Sequence, residues 1–328
     1  MDKDNEAAGL SLIDDASDFT RMPPGATRPS SEDARRIEWP TLLVAIAIYG
    51  AWIALTLAHA SVPTPLLAVL GGGIIAWHGS LQHETIHGHP TGYGWIDRAL
   101  GYGPLSLWLP YPIYCRSHLA HHGTQSITDP LADPESHYLA RPGGWAYRLA
   151  QLESPLLGRL VLGPPIRILL FAMEAGRQIR VEPLRFARDW IPHLLAVALI
   201  LWWLGRVGLP LGIYVLAFIY PGMAITLLRS FAEHRADADP ARRAAIIERP
   251  GPLGLLFLNN NLHAVHHARP DLPWYRLPLH FRAHRGAFAG PQSAPVYRSY
   301  GDIIRRFAWR AQDGIVHPDY RRQPDPAA

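Results

Sequence analysis

Two long stretches of the chain carry almost no charge. From Trp39 to Gln82 there is no Asp, Glu, Lys or Arg, and from Trp190 to Leu228 only Arg206 intervenes. About 20 apolar residues suffice to cross a bilayer as a helix, so each stretch has room for two spans and a tight turn. Pro and Gly fall where those turns belong, in Ala60–Pro65 (ASVPTP) and Gly205–Pro210 (GRVGLP). The pattern predicts an all-α integral membrane fold with two transmembrane helical hairpins, four spans in total. Pro221 should kink the last span, which runs on past Leu228 as RSFAEHR. Three glycines, Gly71 to Gly73, predict close helix packing within the first hairpin's second span.

The segments between the hairpins are mixed. Ala99 to Cys115 is apolar but broken by Gly101, Gly103, Pro104, Pro110 and Pro112, which predicts an interfacial or re-entrant segment rather than a fifth span. Thr128–Tyr138 (TDPLADPESHY) has the Asp, Pro and Ser density of a loop. Leu149 to Arg188 alternates apolar groups with Arg and Glu around Pro155, Pro164 and Pro165, as expected of amphipathic helices lying on a membrane surface. Residues 236–250 read as a charged loop. The expected division is a disordered tail over 1–38, polar and acidic and unlike a cleavable signal peptide. A membrane domain follows over 39–280, and then a basic tail over 281–328.

Composition changes this picture only in orientation. The 328 residues have a mean hydropathy of +0.00, a soluble average that hides the segregation just described. With both hairpin turns outside, Lys and Arg divide as 5 in residues 1–38, 10 in 88–189 and 15 in 229–328, against Arg206 alone on the far side. The positive-inside rule then predicts a multi-pass protein of the inner (cytoplasmic) membrane with both termini cytoplasmic. The net charge of +4 comes almost wholly from Arg, and on a membrane protein such a face suits anionic headgroups or an acidic electron carrier rather than nucleic acid. Cys115 is the single cysteine, so no intramolecular disulfide or thiolate cluster can form, and it reads as a small buried hydrophobe.

The candidate chemistry lies in histidines at the cytoplasmic ends of the hairpins. His83 and His87 stand at i and i+4 in HETIH. His118, His121 and His122 (HLAHH) share an H-x-x-H-H spacing with His263, His266 and His267 (HAVHH). His234 follows the last span. Positions i, i+3 and i+4 share a helix face, so each box can direct its imidazoles to one point. Nine imidazoles exceed what one ion needs and predict two, with iron, copper, nickel or zinc compatible. HETIH also matches the H-E-x-x-H zinc-protease signature, with Glu84 as general base. That reading leaves seven histidines unused, and Glu84 reads better as a carboxylate that orients an imidazole. His137 lacks a partner at helical spacing and is left outside the site.

These residues resemble the three histidine boxes of the membrane fatty acid desaturase/hydroxylase superfamily: H-x(3,4)-H, H-x(2,3)-H-H and [HQ]-x(2,3)-H-H. HETIHGHP, RSFAEHR and HHARPDLPWYRLP resemble bacterial members. The resemblance covers about residues 40–280. It implies a non-haem di-iron centre, with two iron ions held by histidines, O2 as co-substrate and electrons from outside. Ligand roles carry over to His83, His87, His118, His121, His122, His263, His266 and His267, with His234 as the additional histidine. Where some relatives place an asparagine one turn before that histidine, this chain has Ser230, and Asn260 or Asn261 could supply an amide instead. No stretch resembles a fused cytochrome b5 or ferredoxin, so a separate, ferredoxin-like donor is expected. The implied reaction is desaturation of a fatty acyl chain in a membrane lipid or hydrocarbon. Hydroxylation or ketolation of an alkane, lipid or carotenoid is the alternative, and an intramembrane zinc metalloprotease a distant third.

Overall fold

The computed structural model describes residues 37–290 and 293–321. The tail expected over 1–38 therefore lies, apart from Ile37 and Glu38, outside the described residues. The first uncharged stretch forms α1 (Trp39–Ala58) and α2 (Thr64–Ile86), each with Pro in its first turn, where no N–H is needed. The second gives α7 (Pro183–Val207) and a rod made of α8 (Leu211–Tyr214), a π-helical stretch (Val215–Ile219) and α9 (Tyr220–Glu233). Both hairpin turns fall where Pro and Gly predict them. Gly208 closes α7 in the left-handed conformation at φ 72°. The break expected at Pro221 is the π-helical widening just before it.

Between the hairpins lie α3 (Gly94–Gly101), α4 (Tyr111–Gly123), α5 (Gly144–Glu153) and α6 (Leu156–Val181). Beyond α9 come α10 (Pro252–Leu256), α11 (His263–Ala268), α12 (Leu277–Ala283), α13 (Arg285–Phe288) and α14 (Tyr300–Phe307). The described fold is helical apart from one parallel ladder, β1 (Ile246–Ile247) with β2 (Val296–Tyr297).

Four spans are expected, yet five described helices are long and apolar enough to cross a membrane, and the fifth is α6. Its contacts have a distinct pattern. Arg159 lies over the Phe231 ring at 5.2 Å, near the end of α9 that leads to His234. Phe171, three turns on, meets Trp190 at 5.7 Å in the opening turns of α7. Asp189 beside it is held by Arg116 of α4. These two contacts of α6 fall at the first turns of α7 and the last turns of α9, while Tyr220 at the start of α9 also donates to Val161 O.

Glycine sets the closest helix contact. A Cβ on Gly71 would lie 2.7 Å from the Ala217 carbonyl, one on Gly72 2.8 Å from Pro221, and one on Gly222 2.5 Å from Ile75. Gly73 faces open space. Two of the three sequence glycines therefore bring α2 against α9, and the last turn of each helix ends among the histidines.

Of the segment Ala99–Cys115, expected to be interfacial or re-entrant, the two ends are helical in α3 and α4, and residues 102–110 link them without helix. Irregular backbone at membrane depth is tolerated only where its polar groups find partners. Here the spans supply them: Tyr49 Oη donates to Leu100 O, Gln82 Nε2 to Gly101 O and Tyr214 Oη to Leu105 O, while His193 Nε2 bonds Leu107 O. Trp52 Nε1 in turn donates to Tyr214 Oη at 2.9 Å. The polar residues of the apolar spans thereby acquire a structural purpose.

Beyond residue 280 the sequence predicts a basic tail. Its described part packs on the body instead. Tyr297, Tyr300 and Ile303 join Leu156, Phe231 and Phe257 in one buried cluster, and His317 is wholly buried. Too few apolar residues contribute for a periodicity to show. Replacing Tyr214 with Phe should strand the Leu105 carbonyl and the Trp52 N–H, at about 1–3 kcal/mol for each group. Tyr220→Phe removes only an exposed bond to Val161 O. Thermal melts in detergent should therefore place Tyr214→Phe clearly below Tyr220→Phe, and equal midpoints would remove these bonds from the account.

Candidate metal centre

Four elements deliver the nine histidines. The last turn of α2 carries His83, with His87 as its C-cap. The box on α4 supplies His118, His121 and His122; the box on α11 supplies His263, His266 and His267. His234 follows α9 in extended conformation. All nine come together as two adjacent groups: His83, His87, His118, His122 and His266 in one; His121, His234, His263 and His267 in the other. Within each group the candidate ligand atoms lie within 4.8 Å of one another.

Neither H-x-x-H-H box converges on one point. At about 100° per residue, i+3 turns about 60° one way from i and i+4 about 40° the other. In α4 the pair His118/His122 enters the first group while His121 enters the second. In α11 the split is reversed, with His266 in the first group and His263/His267 in the second. Each helix thus reaches both groups, and the rings of His122 and His267 stack across the boundary at 4.4 Å.

Outer hydrogen bonds decide which nitrogen faces inward. The Nδ1 atoms of His118, His121, His234 and His263 face Glu135 Oε2 (3.2 Å), Asp133 Oδ1 (2.8 Å), Arg243 O (3.3 Å) and Asn260 Oδ1 (3.2 Å). All four are acceptors, since Asn260 uses its Nδ2 to donate to Glu233. Each Nδ1 therefore carries a proton, and each ring turns its Nε2 inward, where it offers a lone pair when the ring is neutral. Burial, followed by the charge of His121, holds His234 down to about 3. Burial and neighbouring imidazoles hold His87, His122, His263, His266 and His267 well below the ordinary value. Asp133 acts the other way on His121, which stands above its ordinary value despite burial.

The inward atoms are close. His263 Nε2 lies 2.8 Å from His234 Nε2 and 3.1 Å from His267 Nε2, and His121 Nε2 lies 3.2 Å from His267 Nε2. In the first group the His87–His118 separation is 3.1 Å, and His122 meets His266 at 3.1 Å. Between His234 and His263 no proton is available, so two lone pairs face each other. A cation resolves that repulsion. Metal–nitrogen bonds of about 2.1 Å at right angles put neighbouring nitrogens about 3.0 Å apart, matching these spacings. The buried His83 Nε2 has no hydrogen-bond partner either. An all-imidazole donor set fits first-row metals of the iron-to-zinc range.

Carboxylates surround the donors, from positions that the histidine spacing does not indicate. Asp133 and Glu135 belong to the Thr128–Tyr138 loop, which the sequence marks only as a loop. Burial alone would raise Glu135, but the adjoining His118 brings it down to about 2. The rule that metal-binding histidines rest on outer carboxylates is the signal that could have found them. Asp133 is itself fixed by the Thr128 N–H at 2.7 Å and the Glu135 N–H at 2.8 Å. Glu233 Oε1 stands 3.7 Å from His263 Nδ1.

Other expectations change. Glu84 does not orient an imidazole: Oε1 is 3.9 Å from His83 Nδ1, while Oε2 accepts the Trp274 N–H at 3.1 Å. It ties the first box to the segment after the third, away from the position of a protease base. Asn261 donates to Ile247 O, and Asn260 bridges Glu233 and His263, with its Oδ1 facing His263 Nδ1. Ser230 Oγ bonds His137 Nε2 at 2.9 Å, placing His137 beside the centre but outside both groups. Cys115 is buried against Ile86 and Tyr111, as expected of a small hydrophobe.

A family model described as fatty acid desaturase matches residues 60–301. No curated protein matches the chain.

Losing an outer partner of a metal-binding histidine typically lowers metal affinity 10–100-fold. Asp133→Asn should therefore release metal to a chelator at a correspondingly lower concentration than the unmodified protein. Asp129→Asn, nearby in the same loop, should not. Equal chelator titrations for the two variants would show that Asp133 does not support the centre.

Proposed function

Because the chain belongs to the fatty acid desaturase family, we propose that it is a membrane-bound, O2-dependent desaturase that introduces a C=C bond into an aliphatic chain. The supporting observation is the pair of adjacent imidazole groups, whose inward lone pairs call for two cations at the ends of apolar helices. In this reading His83, His87, His118, His122 and His266 hold one iron, and His121, His234, His263 and His267 hold the other. With O2 and electrons from a separate donor, the bound irons supply the oxidising power to remove hydrogen from an unactivated C–H.

The protein's own contribution is positional. Asp133, Glu135 and Asn260 keep the proton of each supported ring on Nδ1, so Nε2 stays free to bind metal. Three carboxylates, Asp133, Glu135 and Glu233, offset part of the charge that two cations bring. Burial of His83, His118, His121, His263 and His266 excludes water from the oxidising chemistry. Glu84 fastens the first box to the Trp274 backbone, so the groups close as α2 packs.

The arrangement also supports a topology of four spans in the inner membrane, with both termini and the centre on the cytoplasmic side. Arg159 and Phe171 of α6 meet the last turns of α9 and the first turns of α7, which suits a helix lying along the interface. Exposed Trp39 and Trp95 at the centre's end and Trp202 near the opposite end fit interfacial belts. Cysteines at Thr64 or Gly208 should react with impermeant reagents added outside, and ones at Arg141 or Gly176 should not. Outside labelling at Gly176 would make α6 a fifth span and place the centre's loops differently.

The chemistry is tested separately. Purified protein should carry two irons per chain, and turnover under 18O2 should give an unlabelled unsaturated chain, with label in water. A labelled alcohol or ketone as main product would assign oxygen insertion and leave the metal centre standing. One zinc per chain, together with activity retained in His121→Ala and His266→Ala, would sink the di-iron reading.

A further inference from the structure

Beside the second histidine group, residues 136–139, α5, α6, the end of α9 and residues 312–315 line a half-open cavity of about 240 Å3 that reaches His234. Trp145, Leu149 and Phe231 give it apolar walls. Its polar lining is unusual. Arg159 and Arg167 both face it, and the carboxylate between them is the buried Glu153. Arg167 Nη2 donates to Glu153 Oε2 at 2.8 Å, which leaves Arg167 Nε and Glu153 Oε1 buried without hydrogen-bond partners. Arg159 uses Nε on the Glu153 carbonyl, and its guanidinium stacks over Phe231; its two Nη groups have no hydrogen bond among the described residues.

The other acid of the lining, Asp313, is already occupied. Tyr138 Oη donates to one oxygen at 2.8 Å, and Arg235 pairs with the other at 3.3 Å. Two guanidinium groups therefore share one available carboxylate, leaving a surplus positive charge inside a half-open, partly apolar space. His137 registers that field: burial, then Arg167 and Arg159, hold its imidazole well below the ordinary value. Such a charge is costly unless a ligand pairs with it. Guanidinium is the cation best matched to carboxylate and phosphate oxygens.

We propose that this cavity seats the oxyanion head, carboxylate or phosphate, of the amphiphile whose chain reaches the histidine groups. The proposal rests on the reading of those groups as the oxidising centre, and it identifies the substrate as anionic at one end. A neutral alkane or carotenoid has nothing to offer Arg159 and Arg167. The apolar walls accept the first carbons of the chain, and His234 shares the same cavity.

Equilibrium binding of radiolabelled palmitate to the purified, iron-loaded protein in detergent tests this, with iron content measured on the same samples. Palmitate should bind and methyl palmitate should compete at least tenfold more weakly. Arg159→Gln with Arg167→Gln should weaken palmitate binding tenfold or more. Glu153→Gln, which frees Arg167 from its competitor, should tighten it. Should the double variant fail to fold, Leu149→Trp fills the cavity without touching charge and should abolish binding. Competition by palmitoyl lysophosphatidate assigns the source of the oxyanion: stronger than palmitate means a phospholipid head, weaker a free fatty acid. Equal affinity for acid and methyl ester, or unchanged binding in both the double variant and Leu149→Trp, would overturn the proposal whatever the iron content. Normal binding with no iron would instead overturn the proposed centre and leave this site in place.

Discussion

Facing lone pairs are the constraint that organises this molecule. Imidazoles packed nitrogen to nitrogen, as His234 and His263 are, repel one another unless a cation lies among them, so the surrounding structure has to hold them against that repulsion. The hold is distributed. Gly71, Gly72 and Gly222 let α2 and α9 touch backbone to backbone, which fixes where His83, His87 and His234 emerge. Acceptors on the outer side of four rings set their tautomer and direction. Glu84 and Trp274 then lock the first box to the chain beyond the third.

The bilayer imposes the second constraint. Bringing α4 back to the end of α2 requires a short, irregular passage at membrane depth, and each exposed carbonyl there would cost about 1–3 kcal/mol unpaired. Tyr49, Gln82, His193 and Tyr214 cover those carbonyls from three separate parts of the bundle. These four residues are among the polar side chains of the apolar helices, and each bonds a carbonyl at the end of α3 or in the passage. Fold and site are thus linked through a segment that touches neither metal group.

Much of this was legible in the sequence for a simple reason: membrane helices and imidazole boxes both leave short-range periodic signals. The two hairpins, their turns and the eight histidines of the three boxes follow from spacing, while His234 is marked only by its place after the last apolar run and by the family resemblance. What escaped depends on distant contacts. Asp133 and Glu135 support His121 and His118 only because their loop is held in place. Part of that hold comes from Thr128, whose hydroxyl bonds His317, 189 residues away in sequence. The segment beyond residue 280 looked like a tail because its few apolar residues fill gaps in another element's core, which gives no period of its own. Glu84 sits in a familiar motif, and only the position of the Trp274 N–H reveals what it holds. The two-and-one division of each box was available in principle from helix geometry, but which histidine pairs with which group depends on how α4 and α11 face each other.

That division has a consequence for how the centre comes into being. Since α4 and α11 each contribute to both groups, neither group can be completed by elements that leave the other unformed. Fixing the pitch and rotation of α4 and α11 for one group would therefore also shape the other. On the proposed reading the two positions would form as a single unit, with the helical repeat acting as the ruler between them.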